Sequence, residues 1–331
     1  MKNFVLLAFI LAAAISASGE TTNSTENFSP NFSANTEILW QAPANQLPEN
    51  IWIYKRLPPQ PFLAAVISNA VVLAALQDME FPKPSTNAFN ISSAPNPCGM
   101  GFVIFSIEPA TTTISFASTN QTLATNNVPN DEAVTKRAYE CAARFGLDRA
   151  HLIAKPVYTS STAPGCDQTL TGGICGRGIF LSRKLAGVDF FGDANNASDG
   201  FAIEFGSGGQ IRSFSLIWPN LETNRLEKTA SPEEIISGIR AHKIIVLPNP
   251  GEETYFKRLK TLATAKTFTI TKITPCYSEG VFGKVPTNDA PSEFIAPFAE
   301  VEAVADFGKS NAPVRFASPI ISSDFTKFDV R

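Results

Sequence analysis

Four acidic residues between positions 189 and 204 are the strongest candidates for chemistry in this sequence. They are Asp189, Asp193, Asp199 and Glu204. Hydrolysis of the glycosidase type needs two carboxylates that face one cleft, and we take Asp189, Asp193 and Glu204 as candidate catalytic residues. The competing interpretation is that Glu204, which alternates with apolar neighbours, lies on the polar face of a hairpin.

Other reactive groups are sparse in the sequence. The two histidines, His151 and His242, each follow a predicted helix, where a cationic side chain is favoured by the helix dipole. The run from Asp193 to Gly200 resembles a calcium loop but fails at one ligand position and at the glycine. No Gly-x-Ser-x-Gly or Cys-x-x-Cys pattern occurs. We therefore predict neither a metal site nor a cofactor.

The five cysteines offer one favourable disulfide. Cys166 and Cys175 bracket a glycine-rich turn, and we predict that they form a disulfide. Cys141 falls on the apolar face of a predicted helix, which favours a buried free thiol. The sequence leaves the pairing of Cys98 and Cys276 open.

The amino-terminal residues have the pattern of an export signal. Lys2 precedes an uncharged stretch, residues 4–15, that is followed by small residues, as in a secretory signal peptide. We predict a signal peptide over residues 1–19, a disordered spacer rich in Asn, Ser and Thr over 20–37, and a secreted or periplasmic location. A second apolar stretch, 62–76, is shorter than a membrane span and is interpreted as a buried helix, so no transmembrane segment is predicted after cleavage.

Composition narrows the classes of partner. Hydrophobic residues make up 44% of the 331 positions and charged residues 17%, which allows a sizeable core. The formal net charge of −3 gives no basic surface for nucleic acid. We expect a protein or an envelope component as partner.

The order of predicted elements suggests a duplicated fold. Strands 102–107 and 114–118 precede a helix capped by Asn130, and strands 201–205 and 211–218 precede a helix capped by Ser231. The offsets agree, since 203 − 104 = 99 and 231 − 130 = 101. We predict an α+β fold in which antiparallel sheets are each packed by one or two helices, with an internal duplication of a sheet-plus-helix unit. The two units would span residues 38–184 and 185–331.

The hairpin, glycine turn and Ser-Pro-Glu-Glu capped helix within residues 200–280 resemble the PepSY-type domains of exported propeptides and envelope regulators. This resemblance implies a domain without catalytic activity that restrains or binds a partner. The leading prediction is therefore an exported, non-catalytic binding or regulatory protein. The alternatives are an exported hydrolase that uses the carboxylates of the Asp189–Glu204 region and a surface structural protein.

Overall fold

The computed structural model of the chain describes residue 33 and the ranges 35–43, 45–76, 89–92, 103–118, 127–161, 174–190, 199–241, 244–247, 262–278 and 294–321. Sixteen strands are assigned within these residues: β1 Glu37–Trp40, β2 Asn50–Arg56, β3 Phe89–Ser92, β4 Val103–Glu108, β5 Thr113–Ser118, β6 Leu152–Ala154, β7 Tyr158–Ser161, β8 Ile174–Leu185, β9 Val188–Phe190, β10 Gly200–Phe205, β11 Ile211–Ile217, β12 Leu221–Lys228, β13 Ile245–Leu247, β14 Thr267–Ser278, β15 Phe294–Asp306 and β16 Asn311–Pro319. The α-helices of the same residues are α1 Ala64–Leu73, α2 Asp131–Arg144 and α3 Pro232–Arg240.

The chain divides into two compact units. One, the central unit, comprises the described residues of Leu57–Asn220, and the other, the flanking unit, comprises those of Thr22–Arg56 and Leu221–Arg331. The predicted boundary falls between residues 184 and 185, whereas the central unit is a continuous stretch that separates the two parts of the flanking unit.

An antiparallel sheet in the order β3-β4-β5-β11-β10-β8 forms the central unit. Strands β6 and β7 pair with β8, and β9 returns on β8 through a two-residue turn, Ala186-Gly187. Both turn residues have positive φ, 47° and 89°, as this tight hairpin type requires.

Helix α2 covers one face of the central sheet. Asn130 caps it, because its side chain accepts a hydrogen bond from the Ala133 N–H at 2.9 Å. The helix packs against β8 and β10 through a buried face that includes Val134, Ala138 and Cys141. Beyond the helix, the Phe145 ring lies 5.4 Å from that of Phe201. The apolar core of the central unit therefore lies between this helix and the sheet.

The flanking unit is built on a meander of long strands. Strands β14, β15 and β16 pair antiparallel in sequence, β1 joins β14 in parallel, and β13 joins β16. Strand β2 pairs with the start of β15, and β12 pairs with β2. Helix α3 packs against β16, with Ile235 and Ile239 buried. Tyr277 of β14 is fully buried, and its hydroxyl donates to the Trp52 carbonyl at 2.8 Å.

The predicted α+β fold with an internal duplication is wrong. Strands account for 52% of the described residues and helices for 22%, so the fold is largely β. The two predicted hairpins are neighbours in one sheet, since β5 pairs with β11. The helix that follows the second hairpin, α3, packs on β16 rather than on that hairpin. The two sets of elements therefore do not form equivalent sheet-and-helix units.

The described helices include none long and apolar enough to cross a membrane. The predicted buried helix over the apolar stretch 62–76 is shorter than expected and spans Ala64–Leu73. The predicted signal peptide and most of the predicted spacer lie outside the described residues.

Candidate functional site

Glu204 lies in a buried polar cluster of the central sheet. It sits on β10 opposite Gly178 of β8 and is 7% exposed. Its Oε1 atom accepts hydrogen bonds from the Ser160 hydroxyl at 2.6 Å and from Arg212 Nη1 at 2.7 Å. We call Ser160, Cys175, Glu204 and Arg212 the Glu204 cluster. The guanidinium and the hydroxyl therefore satisfy this carboxylate oxygen with charge-assisted hydrogen bonds in the interior.

A β-bulge positions Arg212 for this contact. On β11, Ser213 pairs with Glu204 but Ile211 pairs with Phe205, so Arg212 is the extra residue. Strict alternation along β11 would place Arg212 on the same face as Phe214. The bulge instead lets Ile211 pack on the core and directs Arg212 to Glu204.

Glycine residues make space for the cluster. A Cβ atom at Gly176 would lie 2.4 Å from Glu204 Oε1 and 2.8 Å from Arg212 Nη1. At Gly178 it would lie 2.3 Å from the ring of Tyr158. Burial, and secondarily the nearby Glu204 carboxylate, raise the pKa of the Tyr158 hydroxyl. Close approach of these side chains to the backbone of β8 therefore requires glycine at both positions.

Cys175 is part of the same cluster. It is a buried free thiol whose Sγ lies 3.2 Å from Arg212 Nη1 and 3.5 Å from the Ser160 carbonyl oxygen. Cys166, its predicted disulfide partner, lies outside the described residues, so the pairing stays a prediction that this structure does not support. Cys141 is a buried free thiol, as predicted, and burial raises its pKa.

Asp189 lies in a separate group at the other end of β8. It forms an ion pair with Lys155, and its Oδ1 accepts a hydrogen bond from the Ser182 hydroxyl at 2.5 Å. Ser182 is fully buried, and its single hydroxyl proton is shared between Asp189 and the Phe190 carbonyl oxygen, which lies 2.9 Å from Ser182 Oγ. These contacts hold the short strand β9 against β8.

Of the two remaining acids, the structure describes Asp199. Asp199 is fully buried, and one of its oxygens lies 3.6 Å from the Arg183 guanidinium. The same guanidinium stacks over the Trp218 ring at 4.4 Å. Asp193 lies outside the described residues.

The structure does not bring Asp189 and Glu204 together. Glu204 pairs with Gly178 and Asp189 pairs with Lys184, which is six residues further along β8. Six residues of extended strand span about 20 Å. Carboxylates of glycosidases lie about 5 to 9.5 Å apart. This pair therefore lacks the spacing for hydrolysis, and the hydrolase hypothesis depends on pairs that include Asp193 or Asp199.

Of the two histidines in the sequence, the structure describes His151. His151 is exposed in a short turn before β6, and His242 lies outside the described residues. Within the ranges that the structure describes, no group of three or more His, Cys, Asp or Glu side chains could hold a metal ion.

The flanking unit contains an open groove that no local sequence pattern predicts. Its cavity volume is about 420 Å³. The walls combine apolar side chains with charged ones at the start of helix α3 and the end of β12. We call it the Trp40 groove, and its lining includes Trp40, Leu47, Ile273, Glu49, Lys228 and Glu234.

Hydrogen bonds hold the walls of the Trp40 groove in place. The Trp40 indole N–H donates to the Ala42 carbonyl at 2.9 Å, and the Ile273 N–H donates to the Gln46 side chain at 2.7 Å. On the other wall, Ser231 and Glu234 form a reciprocal capping box at the start of α3. The groove is therefore largely preformed. The capping residue Ser231 can be recognised from the sequence, whereas its proximity to Trp40 cannot.

Comparison with known proteins found no matching family model and no matching curated protein.

Proposed function

We propose that the chain is an exported, non-catalytic binding protein that docks a partner protein through the Trp40 groove. The single observation that supports this proposal most strongly is the combination of size and lining of the groove. Its volume of about 420 Å³ lies within the range of sites that bind small ligands or inserted side chains. The partner would present an apolar or aromatic side chain on an extended segment.

The chemistry of the lining supports this kind of partner. The Trp40 and Leu47 side chains are only partly buried, so they keep apolar area available for contact. Tryptophan is one of the residues that most often contributes a large share of binding energy at interfaces. Exposed Glu49 and Lys228 at the rim provide charges that orient a partner more than they anchor it.

The ion pairs of the candidate acids, and the distance between these acids, also favour binding over hydrolysis. Glu204 is matched by Arg212 and Asp189 by Lys155, and the two acids are about 20 Å apart along β8. Both ion pairs resemble structural contacts. The PepSY-type resemblance of residues 200–280 independently suggests a domain that restrains or binds a partner, and the signal-like amino terminus suggests export.

A comparative pull-down tests the proposal. The mature chain would be incubated with the native envelope fraction, and captured proteins would be identified by mass spectrometry. Trp40→Ala removes the aromatic wall, and Pro43→Asp places a charge at an exposed lining position. Leu63→Ser is the matched control, because it removes an apolar side chain that is 73% exposed in the central unit.

We expect both groove variants to lose the same captured protein that the control retains. With that protein purified, Trp40→Ala should raise Kd about tenfold or more, the size expected for an interface anchor. Circular dichroism would confirm that the variants are folded. Equal capture by the wild type and both groove variants would show that the partner docks elsewhere.

A further inference from the structure

A proline-rich segment lies on the surface of the central unit, directly before helix α1. From position 57 the sequence is Leu-Pro-Pro-Gln-Pro-Phe-Leu, and these residues belong to neither a helix nor a strand. Residues Pro58–Pro61 are all exposed to solvent. We call these four residues the proline segment. Its proline rings therefore keep apolar surface available for a contact.

The proline segment is held in an extended conformation. Proline fixes its own φ at about −65°, and a residue that precedes a proline is pushed towards extended or polyproline II geometry. Leu63, at φ −59° and ψ 141°, continues this geometry up to α1. The Leu57 N–H donates to the Asn220 carbonyl at 2.9 Å. The Leu63 carbonyl accepts from the Val66 N–H, also at 2.9 Å. The residues on both sides of the segment are therefore anchored, and the prolines lose little conformational entropy when they dock.

The Trp40 groove has the chemistry that recognises such a segment. Grooves that bind polyproline II segments are lined by aromatic side chains, against which the proline rings pack. Trp40 supplies an aromatic wall, and Pro43 and Pro232 add apolar lining. The indole ring is held in place, since its N–H donates to the Ala42 carbonyl at 2.9 Å. The groove therefore offers a fixed apolar surface to a segment that is already extended.

The polar groups of the segment and of the groove are also compatible. The proline segment carries no charge, so its docking removes no ion of its own from water. Gln60 is its only polar side chain, and an amide both donates and accepts hydrogen bonds. At the groove rim, the exposed Glu49 carboxylate can accept from this amide and the exposed Lys228 ammonium can donate to it.

We propose that the proline segment of one copy of the chain docks in the Trp40 groove of a second copy. The contact joins two different surfaces, so it is heterologous, and each copy brings both a groove and a segment to the assembly. This inference rests on the proposed function, because it takes the Trp40 groove as a binding site and names a second copy as the partner.

Analytical ultracentrifugation of the full mature chain over a series of concentrations tests the proposal. The average mass of the wild type should rise above that of one chain as the concentration increases. A variant with Pro58→Ala, Pro59→Ala and Pro61→Ala, and separately the groove variant Pro43→Asp, should each raise the Kd of self-association about tenfold or more. Pro156→Ala is the matched control, because it alters an exposed proline outside the segment, and it should associate as the wild type does.

Mixing the two defective variants makes the test specific to this contact. The triple proline variant keeps an intact groove, and Pro43→Asp keeps an intact segment, so an equimolar mixture should associate again. The complex should stop at two chains, because the groove and the segment that remain in it are both altered. A synthetic peptide of residues 57–63, added in excess to the wild type, should dissociate the assembly without any substitution.

Three results would overturn the proposal. They are a wild type that stays monomeric at every concentration, self-association that persists in both variants, and a mixture of folded variants that stays monomeric. The envelope pull-down separates this inference from the proposed function. If the wild type is monomeric but captures another protein that Pro43→Asp loses, this inference fails while the proposed function stands. If capture is equal in both and the wild type is monomeric, both fail.

Discussion

The Glu204 cluster and the Trp40 groove use polar side chains in opposite ways. In the cluster, Glu204 is buried and Arg212 is partly buried, and each matches the charge of the other. In the groove, Glu49 and Lys228 are exposed beside apolar walls. A charge that is buried and matched contributes to one specific structure, whereas charges at an open rim remain able to meet a partner. The difference separates a region that determines stability from a region suited to binding.

The largest expected effect comes from removing the carboxylate of the cluster. Glu204→Ala leaves Arg212, whose side chain is 12% exposed, without its carboxylate. We expect the free energy of unfolding to fall by about 3 to 5 kcal/mol, the usual cost of one unpaired buried charge. Urea denaturation followed by circular dichroism measures this change.

A double variant makes the result specific to the charge pair. Glu204→Leu with Arg212→Met removes both charges and should recover most of the lost stability. Glu222→Ala, at an exposed position of β12, should change stability by less than about 0.5 kcal/mol. If Glu204→Ala lowered the free energy of unfolding no more than Glu222→Ala does, the Glu204 cluster would not have a structural role.

The second effect depends on the space that glycine leaves in the cluster. Gly176→Ala places a Cβ atom 2.4 Å from Glu204 Oε1, so side chains must move. We expect a loss of about 1 to 3 kcal/mol, as for other overpacked sites. Gly238→Ala in helix α3 is the matched control, because its Cβ meets nothing within 4 Å. It should raise stability by about 0.5 to 1 kcal/mol. Thermal unfolding of both variants checks the opposite signs.

The third prediction concerns the pH dependence of stability that arises from Tyr277, which lies in the buried core of the flanking unit. Burial is the main cause that raises the pKa of Tyr277. A raised pKa in the folded state means that stability is present below the unfolded tyrosine pKa of about 10 and is lost as pH rises above it. One such group contributes at most about 1.4 kcal/mol of loss per pH unit.

Tyr277→Phe should reduce this alkaline loss. At neutral pH the variant loses the hydrogen bond to Trp52, which costs about 1 kcal/mol. Above pH 10 its unfolding free energy should decline less steeply than that of the wild type. Urea titrations at a series of pH values measure both slopes. Identical slopes would show that Tyr277 reaches solvent in the folded chain.

Local sequence signals predicted parts of the fold correctly. The helices capped by Asn130 and Ser231 begin where their capping residues indicated, because a cap depends on residues within one turn. The hairpin β10–β11 was also predicted from alternation and its glycine turn.

Features that depend on distant pairing were not predictable in this way. The pairing of β5 with β11, which overturns the duplication, joins strands about 100 residues apart. The bulge at Arg212 shifts the alternation by one residue, and nothing in the strand's own sequence marks it. The Trp40 groove combines residues near positions 40, 230 and 273. In each case the deciding contact is long-range, whereas the sequence pattern is local.

The smallest expected change in stability is at the rim of the groove. Glu49→Ala removes an exposed carboxylate, while the Glu49 backbone keeps its hydrogen bond to Thr229. We expect the free energy of unfolding to change by less than about 0.5 kcal/mol.

Capture of the docked partner should weaken by a factor of a few, chiefly through slower association at low salt. Glu222→Ala should change neither quantity, since β12 carries that residue outside the groove lining. Stopped-flow association at two salt concentrations separates the two variants. If Glu49→Ala instead destabilised the chain as much as Gly176→Ala, the rim would be structural, and the contrast between the groove and the Glu204 cluster would fail.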